Sequence, residues 1–206
     1  RDHRTVAMLI VLPTLLVSLM WWMFTDSPTV FDRIGGPLLA VFPSIVMFVV
    51  TSVATLRERS SGTLSRLFTM PMGKLDFLGG YAVPFGVVAA IQAALAVSLS
   101  VGPLGLDVAG PVWLLGLVAV ADAILGTALG LLVSAFARTE FQAVQFMPAI
   151  VIPQILLCGL FVPRDQMPDV LSAISDVLPL SYAVDAMSSV ATVTGSALGE
   201  VDSEVW

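Results

Sequence analysis

The chain contains a run of 21 residues without a charge, GPLLAVFPSIVMFVVTSVATL, at positions 36–56. A transmembrane helix needs about 20 predominantly apolar residues to cross the roughly 30 Å hydrocarbon core of a bilayer. This run is therefore long enough to span a membrane, and we expect it to form one membrane-spanning helix.

The composition of the whole chain also indicates that the protein is embedded in lipid. Apolar residues make up 57% of the 206 positions, charged residues only 12%, and the mean hydropathy is +0.97. Soluble domains usually carry about 25% charged residues. The formal net charge of -6 also leaves no basic surface for phosphates, which argues against a nucleic-acid partner.

Four further stretches are long and apolar enough to span a membrane. Several contain prolines, which lipid-embedded helices tolerate because neighbouring helices can satisfy the freed carbonyls. Pro148 and Pro153 together predict a bent fifth helix. The five predicted spans cover residues 5–24, 36–56, 77–100, 111–137 and 141–162.

The lysines and arginines predict the orientation. Seven of the nine fall on one side of a five-span arrangement: Arg1, Arg4, Arg57, Arg59, Arg66, Lys74 and Arg138. By the positive-inside rule this side, including the N-terminus, faces the cytoplasm. Five spans that start inside must end outside, so we expect a sixth span beyond Trp206. Because the chain also opens with Arg1 and not Met, we expect it to be cut at both ends.

The loop between the second and third spans is too short and polar to cross the membrane. From Ser60 to Thr69 it predicts a short amphipathic helix, with Leu64, Leu67 and Phe68 on one face. Such a helix could dock into a groove on another protein. The alternative is an interfacial helix that lies on the lipid headgroups.

The loop contains Arg57-Glu58-Arg59, followed by Gly62-Thr63-Leu64, Arg66-Leu67, Thr69 and Pro71. This string resembles the coupling-helix motif of ABC-2 permeases. That family has six spans per subunit (a type V exporter-like fold) and works as a dimer with two ATP-binding subunits. The resemblance implies a coupling helix at about residues 60–70 that contacts the ATPase. Ser65 departs from the motif, which often has an acid there. The residues implied in coupling are Glu58, Arg59, Gly62, Thr63, Leu64, Arg66, Leu67, Thr69 and Pro71.

A second motif, CGLFVP at 158–163 followed by LPLSYAVDAM at 178–187, resembles the end of ABC-2 domains. The stretch between the prolines is too short to cross the membrane, and apolar residues recur in it at helical spacing. We therefore expect an extracellular re-entrant segment at about residues 163–190. An ordinary interfacial helix is the alternative. The motif residues are Gly159, Phe161, Pro163, Pro179, Tyr182 and Asp185.

Together, the two motifs imply that residues 1–206 form a single ABC-2 transmembrane domain. It would be the permease subunit of an ATP-driven exporter of hydrophobic or amphipathic compounds, such as drugs, antibiotics or lipids. The implied partners are two copies of an ATP-binding subunit, a second permease (identical or related), membrane lipid and the substrate. The implied location is the bacterial cell membrane, with multiple spans.

The chain has no G-x-x-x-x-G-K-[ST] loop, and its single lysine, Lys74, lies outside any such pattern. We therefore expect it not to be an enzyme by itself and to bind no cofactor. ATP and Mg²⁺ would be bound by the partner subunit.

The resemblance implies a substrate path between the second and fifth spans and their copies across a two-fold axis. For each residue, ordinary packing or lipid contact is the alternative. The predicted path residues are Phe42, Met47, Phe48, Thr51, Gln145, Phe146, Gln154 and Phe161.

The fourth predicted span contains two features of its own. Asp122 is the one acid within a span, and an intramembrane carboxylate should face protein or water. A proton or cation site is one interpretation. We favour a structural hydrogen bond to Gln92 or a serine. Gly126 and Gly130 form a G-x-x-x-G pattern, which predicts close helix packing within the subunit.

Three other functions are less well supported by the sequence. A polysaccharide or glycolipid exporter of the same family would favour aromatic rings, and the chain has only two tyrosines. A secondary transporter would need more intramembrane charge and an internal repeat. An intramembrane hydrolase would need a catalytic pair, but the single histidine, His3, lies outside the predicted spans.

Overall fold

The computed structural model describes residues 3–61 and 74–192, and every regular element within these ranges is helical. The all-α prediction is therefore confirmed for this part of the chain. In chain order the elements are α1 (His3–Met23), α2 (Pro28–Ser60), α3 (Lys74–Val101), α4 (Val112–Phe136), α5 (Glu140–Leu157), a 3-10 turn (Arg164–Gln166), α6 (Asp169–Ser175) and α7 (Pro179–Thr192).

Helices α1 to α5 correspond one by one to the five predicted spans. Helices α2 to α5 are each long and apolar enough to cross a membrane, whereas the apolar stretch found in α1 is the shorter Ile10–Met23. Helices α6 and α7 are bent by 88° and would add a span only if the bent pair counts as one. The protein is therefore a multi-pass membrane protein, and the total of five or six spans stays a prediction.

Two helix boundaries differ from the predicted ones by five residues or more. Helix α2 begins at Pro28, eight residues before the predicted span, because proline suits the first turn of a helix. Helix α5 ends at Leu157, five residues before the predicted limit of 162. Gly159 adopts φ +91°, the left-handed conformation that commonly terminates helices and that side chains disfavour. The predicted fifth span was therefore too long.

Helix α2 lies at the centre of the bundle, where it contacts α1, α3, α4, α5 and α7. Among the 18 most apolar consecutive residues of α2, 67% are buried within the subunit, whereas only 17% of the corresponding residues of α5 are buried. The subunit core is therefore built around α2. Helix α5 lies at the edge, with most of its surface facing outward.

The contact between α2 and α4 depends on two glycines. A Cβ atom added at Gly126 would lie 2.3 Å from the carbonyl oxygen of Ser44, and one at Gly130 would lie 2.5 Å from that of Phe48. Both distances are far below van der Waals contact, so the two helices meet backbone to backbone. The predicted packing of this pair within the subunit is confirmed.

Contacts at the two ends of the bundle show which loops lie together. At one end, the N–H of Asp107 donates to Asp32 Oδ1 (3.1 Å), and the N–H of Gly110 donates to the Val190 carbonyl (3.0 Å). At the other end, Arg57 pairs with Glu140. The C-terminal end of α2 and the α4–α5 turn therefore lie at the same end of the bundle, as the predicted topology requires. That this end faces the cytoplasm rests on the positive-inside rule.

Candidate functional site

The predicted coupling residues begin in the last turn of α2. Glu58 and Arg59 lie in this turn, where Glu58 is exposed and Arg59 is partly buried. The helix is followed by Ser61, and the chain then enters the motif segment. The remaining coupling residues lie outside the described residues: Gly62, Thr63, Leu64, Arg66, Leu67, Thr69 and Pro71.

Arg57 and Arg59 attach the end of α2 to the turn between α4 and α5. Arg57 donates from Nε (2.9 Å) and Nη2 (2.8 Å) to the two carboxylate oxygens of Glu140, a bidentate pair. Arg59 donates to the carbonyl oxygens of Ala135 (2.9 Å) and Ala137. We call these five residues the arginine clasp. The sequence did not predict this clasp, because nothing in a single sequence indicates that Arg57 pairs with Glu140, 83 residues further along the chain.

The clasp ends on a turn with a well-defined hydrogen-bond pattern. The Thr139 hydroxyl accepts from the N–H of Gln142 (3.1 Å), while Gln142 Oε1 accepts from the N–H of Arg138 (2.9 Å). This reciprocal arrangement is close to a capping box, which satisfies the free N–H groups at a helix start. Gln142, which lies within the predicted fifth span, therefore caps α5.

The predicted substrate-path residues fall into two groups. Met47, Phe48, Thr51 and Gln154 are buried within the subunit. Phe48 and Gln154 share a small cleft with Ser44 and Gly126, where α2, α4 and α5 meet. Phe42 and Phe146 are partly buried, and Phe146 packs beside Phe48. Gln145 and Phe161 are exposed on the surface.

An open apolar groove runs along the outer face of α5. Its volume is about 370 Å³, and Gln145 is the one path residue in its lining. The other lining residues are aliphatic side chains, a proline and a methionine: Val49, Val144, Met147, Pro148, Val151, Ile152 and Ile155. The path residues thus do not form one cavity within a subunit.

The second motif folds around Arg164. This side chain donates to the carboxylates of both Asp176 and Asp185 and lies 5.7 Å from the centre of the Tyr182 ring. The Tyr182 hydroxyl donates to the Asp176 carbonyl (2.6 Å). The neighbouring Asp185 and Asp176 carboxylates raise the pKa of Arg164 further above its already high ordinary value. This Arg164 cluster joins the start of the segment to both helices beyond it.

The surrounding motif residues have clear local roles. Gly159 supplies the left-handed residue after α5, Pro163 precedes the 3-10 turn, and Pro179 begins α7. The apolar face that we predicted on this segment is exposed on the subunit, with Val170 71% and Val177 81% accessible. Such a face suits lipid in either a re-entrant or an interfacial helix, so both interpretations stay predictions.

Asp122 is buried in α4, with 2% of its surface accessible. The Ser44 side chain is its polar neighbour, yet neither carboxylate oxygen has a partner in hydrogen-bond geometry. Gln92, which we considered as a partner, donates its Nε2 to the Pro43 carbonyl instead (3.4 Å). The predicted hydrogen bond to Gln92 is therefore wrong, and Ser44 is the serine that faces the carboxyl.

Comparison with known proteins adds to these observations. A model of the ABC-2 type transporter family matches residues 2–191. The probable multidrug ABC transporter permease YbhR from Escherichia coli (strain K12) is 30% identical over 148 residues, which cover 72% of this chain and 40% of that protein. No solved structure gives a significant match.

Two more distant relatives come from other organisms. ABC transporter G family member 20 from Dictyostelium discoideum is 25% identical over 174 residues, covering 81% of this chain and 24% of that protein. The linearmycin resistance permease protein LnrN from Bacillus subtilis (strain 168) is 24% identical over 147 residues, covering 71% and 38%. This chain therefore spans about two fifths of the length of its bacterial relatives. It belongs to the ABC-2 type transporter family.

Proposed function

We propose that this chain is the transmembrane permease subunit of an ATP-driven exporter. It moves a hydrophobic or amphipathic compound out of the cytoplasm or the inner leaflet of a bacterial membrane. A separate ATP-binding subunit, present in two copies, supplies the energy, and a second permease, identical or related, completes the path. Family membership supports the proposal, as does a sequence that contains no phosphate-binding loop of the Walker type.

The observation that carries this proposal is the position of the coupling motif. Helix α2 is the central helix of the bundle, and its last turn carries Glu58 and Arg59, the first residues of the motif. The motif therefore continues directly from the helix that contacts most of the others. An ATPase that binds this segment would act on the core of the permease.

The coupling role can be tested with two leucines of the predicted apolar face. The double variant Leu64→Asp/Leu67→Asp places charges where the ATPase groove should accept apolar side chains. We expect the permease to lose co-purification with its ATP-binding subunit, and the membrane-reconstituted mixture to lose permease-dependent ATP hydrolysis.

The matched control is Ser65→Asp, which adds one aspartate within the same segment but leaves both leucines in place. Because related motifs often carry an acid at this position, this variant should keep both binding and ATP hydrolysis. If the double variant binds the ATPase as well as the wild type does, the segment is not the coupling site.

The groove on α5 supports a hydrophobic substrate. Its lining contains no aromatic ring and one polar side chain, Gln145, which suits greasy molecules better than sugars. In a dimer the groove would face the second permease across the two-fold axis. The names of two relatives, a probable multidrug permease and a linearmycin resistance permease, agree with a drug-like cargo. The polysaccharide alternative has no comparable support in the groove.

Transport can be measured in inverted membrane vesicles that contain the permease and its ATP-binding subunit. Export then appears as ATP-dependent uptake of a fluorescent hydrophobic cation such as ethidium. Met47 and Phe48 are poor probes, because they are buried and their truncation would damage the fold. We expect Ile152→Ala, in the groove, to reduce uptake.

The matched control is Ile91→Ala, which changes an equally exposed isoleucine on α3. Ile91 is 51% accessible and Ile152 48%, but only Ile152 lines the groove. An equal effect of the two variants on uptake would argue against a path along α5, and ATP-driven efflux from the vesicles would argue for import.

A further inference from the structure

We propose that the arginine clasp transmits movement of the coupling segment to α5, and that Arg57 and Arg59 are positioning residues within the permease and make no contact with the ATPase. This inference rests on the proposed function, since it assumes an ATPase at the segment after Ser61. It changes the role of Arg59, which the motif resemblance assigned to the ATPase interface.

The first half of the clasp is the pair between Arg57 and Glu140. The guanidinium uses two of its N–H groups on the two oxygens of one carboxylate, at 2.9 and 2.8 Å. Bidentate pairs of this kind fix the relative orientation of both groups as well as their distance. Arg57 belongs to the last turn of α2, and Glu140 to the first turn of α5. One helix end therefore holds the other in a defined direction.

The second half of the clasp holds the end of α4. The last carbonyl groups of a helix have no partner within it and form the negative end of its dipole. Arg59 donates to the carbonyls of Ala135 and Ala137 at this point, where the chain leaves the helix in an extended conformation. The last turn of helix α2 thus contacts both sides of the short connection between α4 and α5.

The position of α5 makes this attachment effective. Helix α5 is the least buried of the four long apolar helices, so little of its surface is held by the rest of the subunit. Its inner end is fixed to α2 through Glu140, and its outer half contributes Gln154 to the cleft beside Phe48. A shift of the segment after Ser61 would therefore reach the proposed path through α5.

The solvent exposure of the Arg57–Glu140 pair distinguishes a role in transmission from a simple contribution to folding stability. The side chains of Arg57 and Glu140 are 69% and 47% accessible, and ion pairs this exposed contribute little to folding. Breaking the pair should leave the folded permease intact. A large loss of coupled activity would then reflect transmission.

The test uses the complete permease with its ATP-binding subunit in lipid nanodiscs, with permease-dependent ATP hydrolysis as the readout. We expect Arg57→Glu and Glu140→Arg each to lower this activity at least about fivefold, within the usual range of coupling between sites. The double variant Arg57→Glu/Glu140→Arg restores the pair in reverse and should recover most of the activity.

Arg138→Glu is the matched control, because Arg138 lies in the same turn and its side chain forms no part of the clasp. It should retain activity. All variants should co-purify with the ATPase at the wild-type ratio and show wild-type thermal stability.

The outcomes are distinguishable. If the wild-type complex shows no permease-dependent ATP hydrolysis, the proposed function itself is wrong. If the wild type is active and either single reversal is also fully active, or the double variant recovers nothing, the clasp does not transmit. Loss of ATPase binding in the Arg57→Glu variant would place Arg57 at the subunit interface and would equally overturn the inference.

Discussion

The carboxyl group of Asp122 is buried within α4 and has no hydrogen-bond partner among the described residues. An ionised acid at the centre of a bilayer costs roughly 2.5–3.5 kcal/mol on insertion scales, and Ser44 does not meet hydrogen-bond geometry with it. Asparagine has nearly the same shape, no charge and a donor of its own. We expect Asp122→Asn to keep the ATP hydrolysis and ethidium transport of the complex and to raise the thermal stability of the permease.

The competing hypothesis, a proton or cation site, predicts a different pattern. In that case the amide would abolish transport even though the protein remained folded. Measuring the unfolding temperature and vesicle transport on the same preparation separates the two hypotheses. Transport would fall without a loss of stability only if the carboxyl group that the variant removes were functional.

Gly126 provides the sharpest steric test. A methyl group there would lie 2.3 Å from a main-chain oxygen, which cannot rotate away as a side chain could. Overpacking of this kind costs about 1–3 kcal/mol. We expect Gly126→Ala to lower the unfolding temperature and the yield of monodisperse protein on size-exclusion chromatography.

Gly116→Ala is the matched control on the same helix. Nothing lies within 4 Å of a Cβ added at Gly116, and alanine favours helix more than glycine does. This variant should be as stable as the wild type or more so. Equal destabilisation of both variants would mean that the contact between α2 and α4 is looser than the structure shows.

At the scale of elements, the start of α5 depends on the side chains of Thr139 and Gln142. Loss of a capping group costs about 0.5–2 kcal/mol. We expect Gln142→Ala to increase amide hydrogen exchange over residues 138–144. Gln145→Ala, one turn further along the helix and exposed, should leave exchange there unchanged. An identical exchange pattern in the two variants would show that the cap contributes nothing.

The helices themselves were largely predictable, because uncharged runs of sufficient length have few alternatives to a span. Their ends were harder. The Thr139-x-x-Gln142 spacing is a boundary signal that could have been found in the sequence, and so is Pro28 at the start of α2. The end of α5 depends on Gly159, whose left-handed conformation becomes visible only in the folded chain. The arginine clasp has no local signal at all, since it joins elements that are distant in sequence.

At the scale of the whole molecule, the orientation in the membrane is testable with single cysteines. The chain has one native cysteine, the buried Cys158, so a Cys158→Ala background is free of thiols. Asp107→Cys and Arg138→Cys place exposed thiols at opposite ends of the bundle. If the positive-inside assignment holds, a membrane-impermeant maleimide labels position 107 in intact cells and position 138 only after permeabilisation.

Labelling in the reverse order would invert the topology and place the coupling segment outside the cell, where no ATP-binding subunit could reach it. Labelling of both positions in intact cells would mean that the two loops do not lie on opposite sides of a membrane.

What remains predicted at this scale concerns surfaces that a single subunit does not complete. The two-fold partner and the contact of Leu64 and Leu67 with an ATPase both depend on subunits other than this one. The path residues show the same limit, because Gln145 lines an outward groove while Gln154 is buried with Phe48. Side chains that face a partner and those that face lipid have similar apolar character, so composition alone does not distinguish them.

The close contact of α2 with Gly126 and Gly130 has a consequence for comparing related sequences. Each contact joins a glycine to a main-chain oxygen, and no side chain on the opposite helix can shrink to make room for a larger residue. A substitution on α2 therefore cannot compensate for a larger residue at either of these two positions. Statistical methods that infer contacts from correlated changes should therefore find no signal at Gly126 and Gly130, although the two helices meet there backbone to backbone. In related sequences we expect this contact to appear as two positions that favour glycine.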